Sequence, residues 1–369
     1  MNLDLPKVYC GRKVLVTGDT GFKGSWLCEI LLSWGAEVYG IGLEPQTSPS
    51  LFNDLNLQLR ITHRQIDIRN LALLRKWVEE IQPDFIFHLA AQSLVRESYR
   101  TPLETFDVNL MGTLHVLESM RSLGRSVGVM ITTDKCYENR ELNYAYQEED
   151  PMGGYDPYSA SKATAEIGIS SYRRSFFKEK PNIGIASVRA GNVIGGGDWA
   201  KDRIVPDSIR SLQEGRSIVV RNPYATRPWQ HVLEPLTGYL KLGALLDQSI
   251  QCGDREKKES YCSAFNFGPT NDSNRKVENL VGEILKHWEG RWENLAEKNA
   301  PHEAGLLHLN IEKANRVLDW HPRWSFEVTI EKTVEWYREV HEKKSRPQEI
   351  TKRQIQEYFE PRMDADERG

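Results

Sequence analysis

The sequence predicts an α/β protein, a Rossmann-type doubly wound parallel sheet with a smaller α/β lobe. Three observations carry that prediction. Short apolar runs alternate with stretches of helical periodicity through the first half of the chain. Those runs are apolar throughout, as in parallel strands covered on both faces. The first run is followed at once by glycines three residues apart and then by a helix.

Each element can be justified in order. Lys13–Thr17 is β-branched and apolar, hence a strand, and Gly18–Gly24 turns into a helix whose apolar positions run from Ser25 to Leu32. Gly35 stops that helix, and Glu37–Ile41 reads as a second buried strand. Arg64–Ile68 is the third candidate strand. Leu71–Ile81 is amphipathic at helical spacing and closed by Pro83. Phe85–Leu89 is an apolar strand. Thr105–Leu123 is a long helix with Val108, Met111, Leu114 and Leu117 on one face. Val127–Ile131 is a strand, Tyr158–Phe177 a helix and Ile183–Val188 a strand.

Past residue 190 the pattern changes. Gly195–Trp199 is a glycine-rich loop, residues 251–259 form a charged surface loop, and Val277–Glu293 reads as a helix. From Ser345 the chain is charged and poor in core residues, a loose tail or lone surface helix.

Composition excludes several functions. The 369 residues allow two domains or one elaborated domain, and 39% hydrophobic with 27% charged residues is an ordinary globular balance. The net charge of −4 lacks the basic excess of a nucleic-acid binder, so no nucleic-acid partner is expected. No apolar run reaches the ~20 residues that span a bilayer, and the N-terminus lacks a signal pattern. The five cysteines form no CxxC pair and the nine histidines no HExxH, so neither a disulfide framework nor a metal site is expected. The expectation is a cytoplasmic protein without a membrane partner.

Two patterns carry chemistry. Gly18-Asp19-Thr20-Gly21-Phe22-Lys23-Gly24 sits between strand and helix, where glycines allow a sharp turn and let backbone N–H groups approach a diphosphate at the helix N-terminus. The acid expected after the second strand is displaced, since Glu44 comes late. Lys23 inside the turn could favour a 2′-phosphate, and the balance leans to NAD over NADP. Asp67 before Ile68 suits either an adenine contact or a plain turn. The second pattern is Tyr158-x-x-x-Lys162, which puts a phenol and an ammonium on one helix face. A phenol is a poor base near neutrality until a nearby cation stabilises the phenolate. Tyr9 and Lys13 repeat the spacing but lead into the first strand. Thr133-Asp134-Lys135 stands just past a buried strand, at the edge where open parallel sheets bind ligands. A hydroxyl beside an acid and an amine provides more than a simple dehydrogenase needs.

With Leu89-Ala90-Ala91-Gln92 and Thr132 before Thr133, these motifs resemble the extended short-chain dehydrogenase/reductase superfamily in its nucleotide-sugar branch. Within it, residues 43–52, 133–139 and 189–199 resemble the dehydratases that act on CDP-glucose, over roughly Val8 to Lys344. The resemblance implies a hydro-lyase with tightly held NAD. C4 of the sugar is oxidised, water is lost across C5–C6, and the hydride returns to C6. It implies catalytic roles for Thr133, Asp134, Lys135, Tyr158 and Lys162, with Tyr158 taking the C4 hydroxyl proton. Asp134 is the acid for the departing C6 oxygen, an assignment firmer than Lys135 as the C5 base. It implies NAD contacts from Gly18, Thr20, Gly21, Phe22, Lys23, Gly24, Asp67, Ile68, Leu89, Ala90, Ala91, Gln92, Asn109, Thr132, Tyr158 and Lys162. It implies substrate contacts from Asn192, Arg203, Arg227 and His231, in line with the run of cations between Lys201 and Arg227. Asp-Lys also occurs in dehydratases of UDP-N-acetylglucosamine, so the pair alone does not fix the sugar. The expected organisation is a dinucleotide unit over 1–190 with a return segment at about 229–262, a nucleotide-sugar lobe from 191–228 and 263–344, and a tail over 345–369. A homodimer or dimer of dimers through the Thr105–Leu123 and Tyr158–Phe177 helices is also expected.

Overall fold

The architecture is that of a computed structural model, which describes residues 3–142, 144–295 and 307–360. Seven parallel strands form its centre: β1 Lys13–Thr17, β2 Glu37–Gly42, β3 Thr62–Gln65, β4 Phe85–His88, β5 Ser126–Ile131, β6 Ile183–Arg189 and β7 Ala264–Asn266, in the order β7-β6-β5-β4-β1-β2-β3. Every neighbouring pair is parallel. The chain moves outward from β1 on one side and then returns to lay β4 on the other, so the strand order reverses at β1 and β4. A crevice at the carboxyl ends of the strands opens at such a reversal.

The two faces of the sheet bury separate apolar layers. Helices Phe22–Ser33 and Leu233–Gln251 cover one, where Trp26, Leu27, Leu236 and Leu240 are fully enclosed. Helices Leu71–Ile81, Gly112–Met120 and Pro157–Tyr172 cover the other through Leu74, Val78, Val116, Leu117 and Ile169. Helix Leu71–Ile81 has the bounds its periodicity predicts, with Asn70 as its cap.

Several elements differ from the sequence expectation. The third strand is Thr62–Gln65, not Arg64–Ile68. Its ladder with Tyr39–Gly42 ends at Gln65, and the apolar Ile66 and Ile68 fill the core beyond it. The long helix is continuous over Pro102–Met120 but holds a π-helical turn at Asp107–Met111. Residues 255–261 are a helix with Asp254 as its cap rather than a loop. The helix from Val277 stops at His287, and Trp292–Asn294 pairs in parallel with Ile218–Val220.

The charged C-terminal segment is neither loose nor a lone surface helix. Pro347–Phe359 is a helix that packs on helices Phe22–Ser33 and Phe326–His341 and buries Ile350, Ile355 and Tyr358. Burial of such side chains contributes about 1.5–3 kcal/mol each. The Tyr358 hydroxyl donates to Glu234 at 2.6 Å, and the Trp336 ring N–H donates to Thr351 at 2.9 Å. Residues 361–369 of the expected tail lie outside the described residues. Among the described residues, no helix is long and apolar enough to cross a membrane, and no cluster of potential metal ligands occurs.

Candidate active site

The glycine turn links β1 to helix Phe22–Ser33, with Gly21 at the N-cap and no side chain closing the helix end. Its first N–H groups therefore face the crevice. Gly18 has φ +75°, and a Cβ there would lie 2.7 Å from the Ala90 nitrogen. A Cβ on Gly24 would come within 2.1 Å of the Gly18 carbonyl. Backbone alone thus shapes this wall, and the cradle suits a dinucleotide diphosphate. Thr20 and Phe22 flank the same turn.

Beneath the wall lies a chain of hydrogen bonds. The Ala90 N–H donates to Thr17 Oγ1, which lies 2.7 Å from His88 Nδ1. His88 Nε2 lies 2.9 Å from Thr113 Oγ1, and that hydroxyl donates to the Asn109 carbonyl. Because the Thr113 proton is used on Asn109, Nε2 must donate and Nδ1 must accept. Burial accordingly lowers His88 to about 3, so it is neutral. Asn109 does not face the crevice. It is fully buried in the π-helical turn, where its side chain bonds both the N–H and carbonyl of Gln92 and donates to Ser161. It fixes the Leu89–Gln92 loop instead. The π-helical turn and this relay escaped the sequence reading.

Asp67 takes the turn form that its sequence allows, accepting from the Arg69 N–H and pairing with the Arg69 guanidinium at 2.6 Å. Lys23 is surrounded by charges of the opposite wall. Burial lowers it to about 8, Arg203 and Lys162 push the same way, and Asp134 opposes them. Its charged neighbours are therefore those of the Tyr158 end.

The opposite wall is made of side chains. Thr133 follows β5 and caps a short 3-10 turn at Asp134–Cys136, accepting from the Lys135 N–H at 3.3 Å. Thr133 Oγ1 donates to Asp134 Oδ1 at 3.0 Å, and it stands close enough to Tyr158 to lower the phenol. Asp134 is 1% exposed, and its Oδ2 has no partner among the described residues. Gly191 makes room for it, since a Cβ there would overlap the Asp134 carboxyl group. Asn192 follows at φ +47°, with its side-chain Nδ2 also buried and unpartnered. Tyr158 and Lys162 open helix Pro157–Tyr172, capped by Asp156. Burial pushes Tyr158 up to about 12 against the Thr133 hydroxyl, and lowers Lys162 to about 8 against the attraction of Glu166. Lys162 Nζ donates to the Ile131 carbonyl at 3.4 Å.

Of the expected substrate residues, Arg203 reaches this wall. It pairs with Asp198 at 2.9 Å, which raises it, and it feels the charge of Tyr158. Arg227 lies on the short strand Thr226–Pro228, donating to the Thr226 carbonyl. His231 corrects the expectation. It is fully buried between Trp26 and Trp324, and burial lowers it to about 3. Its neighbours make it a core residue. Tyr9 of the second Tyr/Lys spacing is likewise buried, donating to the Leu240 carbonyl at 2.7 Å.

Behind the side-chain wall stands a polar pair that sequence reasoning missed. Glu166 and Arg189 are each 4% exposed and meet at 3.0 Å. Glu166 follows Lys162 by four residues, so it extends the Tyr158–Lys162 stripe by one more turn. That spacing was the available signal.

A family model described as GDP-mannose 4,6 dehydratase matches residues 15–333. The chain is 46% identical over 335 residues to CDP-glucose 4,6-dehydratase of Salmonella typhimurium, covering 89% of this chain and 91% of that protein. It is 23% identical over 340 residues to dTDP-glucose 4,6-dehydratase of Haemophilus influenzae, covering 88% and 97%. Among solved structures, DesIV, a dTDP-glucose 4,6-dehydratase from Streptomyces venezuelae with NAD and TYD bound, shares the fold with a TM-score of 0.74 at 23% identity, over 88% of this chain and 97% of that one. This chain belongs to the GDP-mannose 4,6 dehydratase family of the extended short-chain dehydrogenase/reductases.

Proposed function

We propose that this protein converts CDP-D-glucose to CDP-4-dehydro-6-deoxy-D-glucose with NAD as its cofactor. The observation that carries the dehydratase reading is the placement of Asp134. Its unpartnered Oδ2 is buried one residue from the Thr133 hydroxyl that neighbours Tyr158. An alcohol oxidation needs the Tyr158, Thr133 and Lys162 set alone; an elimination needs an acid beside it. CDP-glucose as the substrate is supported by the 46% identity to the Salmonella enzyme, and NAD by the cradle at Gly18–Gly24 and by the NAD of DesIV.

The chemistry a bound NAD contributes is reversible hydride storage, so that the hydride leaving C4 comes back at C6. The chain's own residues do the rest. Thr133 positions the C4 hydroxyl, and Tyr158 takes its proton while the buried Lys162 ammonium favours the phenolate. The C4 ketone acidifies the C5 hydrogen, which Lys135 takes as a proton and returns to C5 when the hydride arrives at C6. Asp134 gives its proton to the C6 oxygen as that oxygen leaves as water. Asn192, Arg203 and Arg227 hold the diphosphate, where guanidinium groups match phosphate oxygens.

Residues 1–190 with 229–262 act as the dinucleotide unit in this reading, and 191–228 with 263–344 as the sugar-nucleotide lobe. Leu103 and Ile167, 84% and 57% exposed on the two helices flanking the Tyr158 wall, support a homodimer built on those helices. The test is a panel of CDP-, dTDP-, GDP- and UDP-sugars without added reductant. A 4-keto-6-deoxy product from CDP-glucose is expected. Formation of a C4 or C5 epimer alone would sink the reading in favour of an epimerase.

A further inference from the structure

We propose that the buried Glu166–Arg189 pair is a positioning device that grips the Thr133–Cys136 turn at both ends and so sets where its acid and base stand. The proposal rests on the dehydratase reading for its kinetic consequence, but not for its geometry.

Thr132, just before the turn, donates its hydroxyl to Glu166 Oε1 at 2.5 Å. Tyr137, just after it, receives a hydrogen bond from Arg189 Nη1 at 2.7 Å. The pair joins these two contacts through Arg189 Nη2 and Glu166 Oε2 at 3.0 Å. Each member is also anchored away from the turn. Ser187 donates to Glu166 at 2.8 Å, and Arg189 donates to the Glu148 carbonyl at 2.9 Å. Tyr137 passes its own proton to Asn266 Oδ1 at 2.7 Å, on the edge strand β7, and its ring stacks on Tyr146. Both ends of the turn are thus tied through one ion pair to β6, β7 and helix Pro157–Tyr172.

A buried ion pair is weak evidence of stability, because desolvation offsets much of its attraction and apolar side chains could fill the same space. Its recognised advantage is fixing one arrangement among several. Here the arrangement concerns a turn whose backbone is held by Val188 before it and by residues 151–153 after it, and the pair adds the side-chain part of that hold. Although burial works against its charge, Arg189 and the two hydroxyls hold the Glu166 carboxyl below its usual range, and it attracts Lys162 one turn away. The pair therefore presents a fixed negative charge to Lys162 and a fixed frame to Asp134 and Lys135. Loosening the frame at Tyr137 acts first on Lys135 and Asp134, at the end of the turn away from Thr133, and leaves Tyr158 and Lys162 on their helix.

The test uses the full chain with NAD bound. Tyr137→Phe removes one hydroxyl and keeps the ring. Backbone hydrogen exchange is expected to quicken at residues 133–137 and stay unchanged at 18–24. On CDP-glucose, kcat is expected to fall about tenfold or more with little change in KM, as for a small misplacement of reacting groups. Reduced cofactor is expected to accumulate during turnover, since C4 oxidation outruns elimination. Thr132→Val should quicken exchange at 133–137 from the other end, and Thr132→Ser should restore it. Unchanged exchange at 133–137, or equal loosening at 18–24, overturns the proposal. So does a slower Tyr137→Phe variant that accumulates no reduced cofactor. A wild-type protein that makes no keto-deoxy sugar defeats the dehydratase reading instead, and the exchange result still decides the clamp.

Discussion

The two walls of the crevice are made of different material. On the Gly18–Gly24 wall the binding groups are backbone N–H, and the glycines serve by lacking side chains. On the Thr133–Lys135 wall the working groups are side chains with buried, unpartnered atoms. The first wall is stiff because close backbone approach admits one shape. The second depends on polar contacts that hold each group in place, and those contacts lie a layer deeper. The lesson is that binding and chemistry should fail separately when each wall is damaged.

The largest expected effect breaks chemistry alone. Tyr158→Phe should lower kcat by about a thousandfold, the middle of the range for a positioned acid–base group, while NAD titration by fluorescence quenching stays near wild type. A variant that turns over normally would remove Tyr158 from the mechanism.

The next effect strikes beneath the glycine wall, where two histidines are held neutral: His88 under the turn and His231 against Trp26 of the helix that follows it. Both are lowered by burial from 6.5 to about 3. The unfolded chain binds protons below 6.5 and the folded chain does not, so this contribution is complete above that pH and is lost as pH falls toward 3. At pH 5 each histidine should cost about 2 kcal/mol. Urea midpoints at pH 7 and pH 5 measure it, and His88→Gln should flatten the slope. An equal slope in that variant would show that His88 is not held neutral.

Gly18→Ala should break the backbone wall. A residue at φ +75° whose Cβ meets the Ala90 nitrogen at 2.7 Å is strained by about 1–3 kcal/mol. NAD affinity should fall by a corresponding ten- to hundredfold or so, with kcat at saturating NAD less affected. Calorimetric titration checks it, and an unchanged Kd would mean that the cradle is not used.

The smallest effect sharpens the contrast. Asn192→Ala removes a buried amide that awaits a partner, so KM for CDP-glucose should rise about tenfold, the value of one hydrogen bond at a diphosphate, with NAD binding untouched. A loss in NAD affinity instead would place Asn192 on the other wall.

The glycine wall was the more legible in sequence, because glycine spacing and strand apolarity directly report backbone shape. Tyr158 and Lys162 were legible for the same reason, as a helix periodicity. The edge strand β3 was misplaced because Thr62–Gln65 is polar and half-exposed, whereas Ile66 and Ile68 advertise core from outside the strand. Helix Pro347–Phe359 was hidden because its buried face includes Thr351 and Gln354, whose polar groups find partners in the neighbouring helix. His231 shows that a residue type in a familiar stretch says little about depth. The Glu166–Arg189 pair joins residues far apart in the chain, and the fold alone brings them together.

The edge strand β7 has a consequence for how the chain is made. It covers β6, yet the ribosome must add every residue from Ala190 to Ser263 before Ala264–Asn266 exists. At about 5–20 residues per second that interval lasts several seconds. Throughout it the apolar β6 presents an unpaired edge, the form most prone to join another chain. Nascent chains cut within Arg255–Tyr261 should therefore be captured by chaperones or aggregate, whereas chains extended past Asn266 leave that hazard behind.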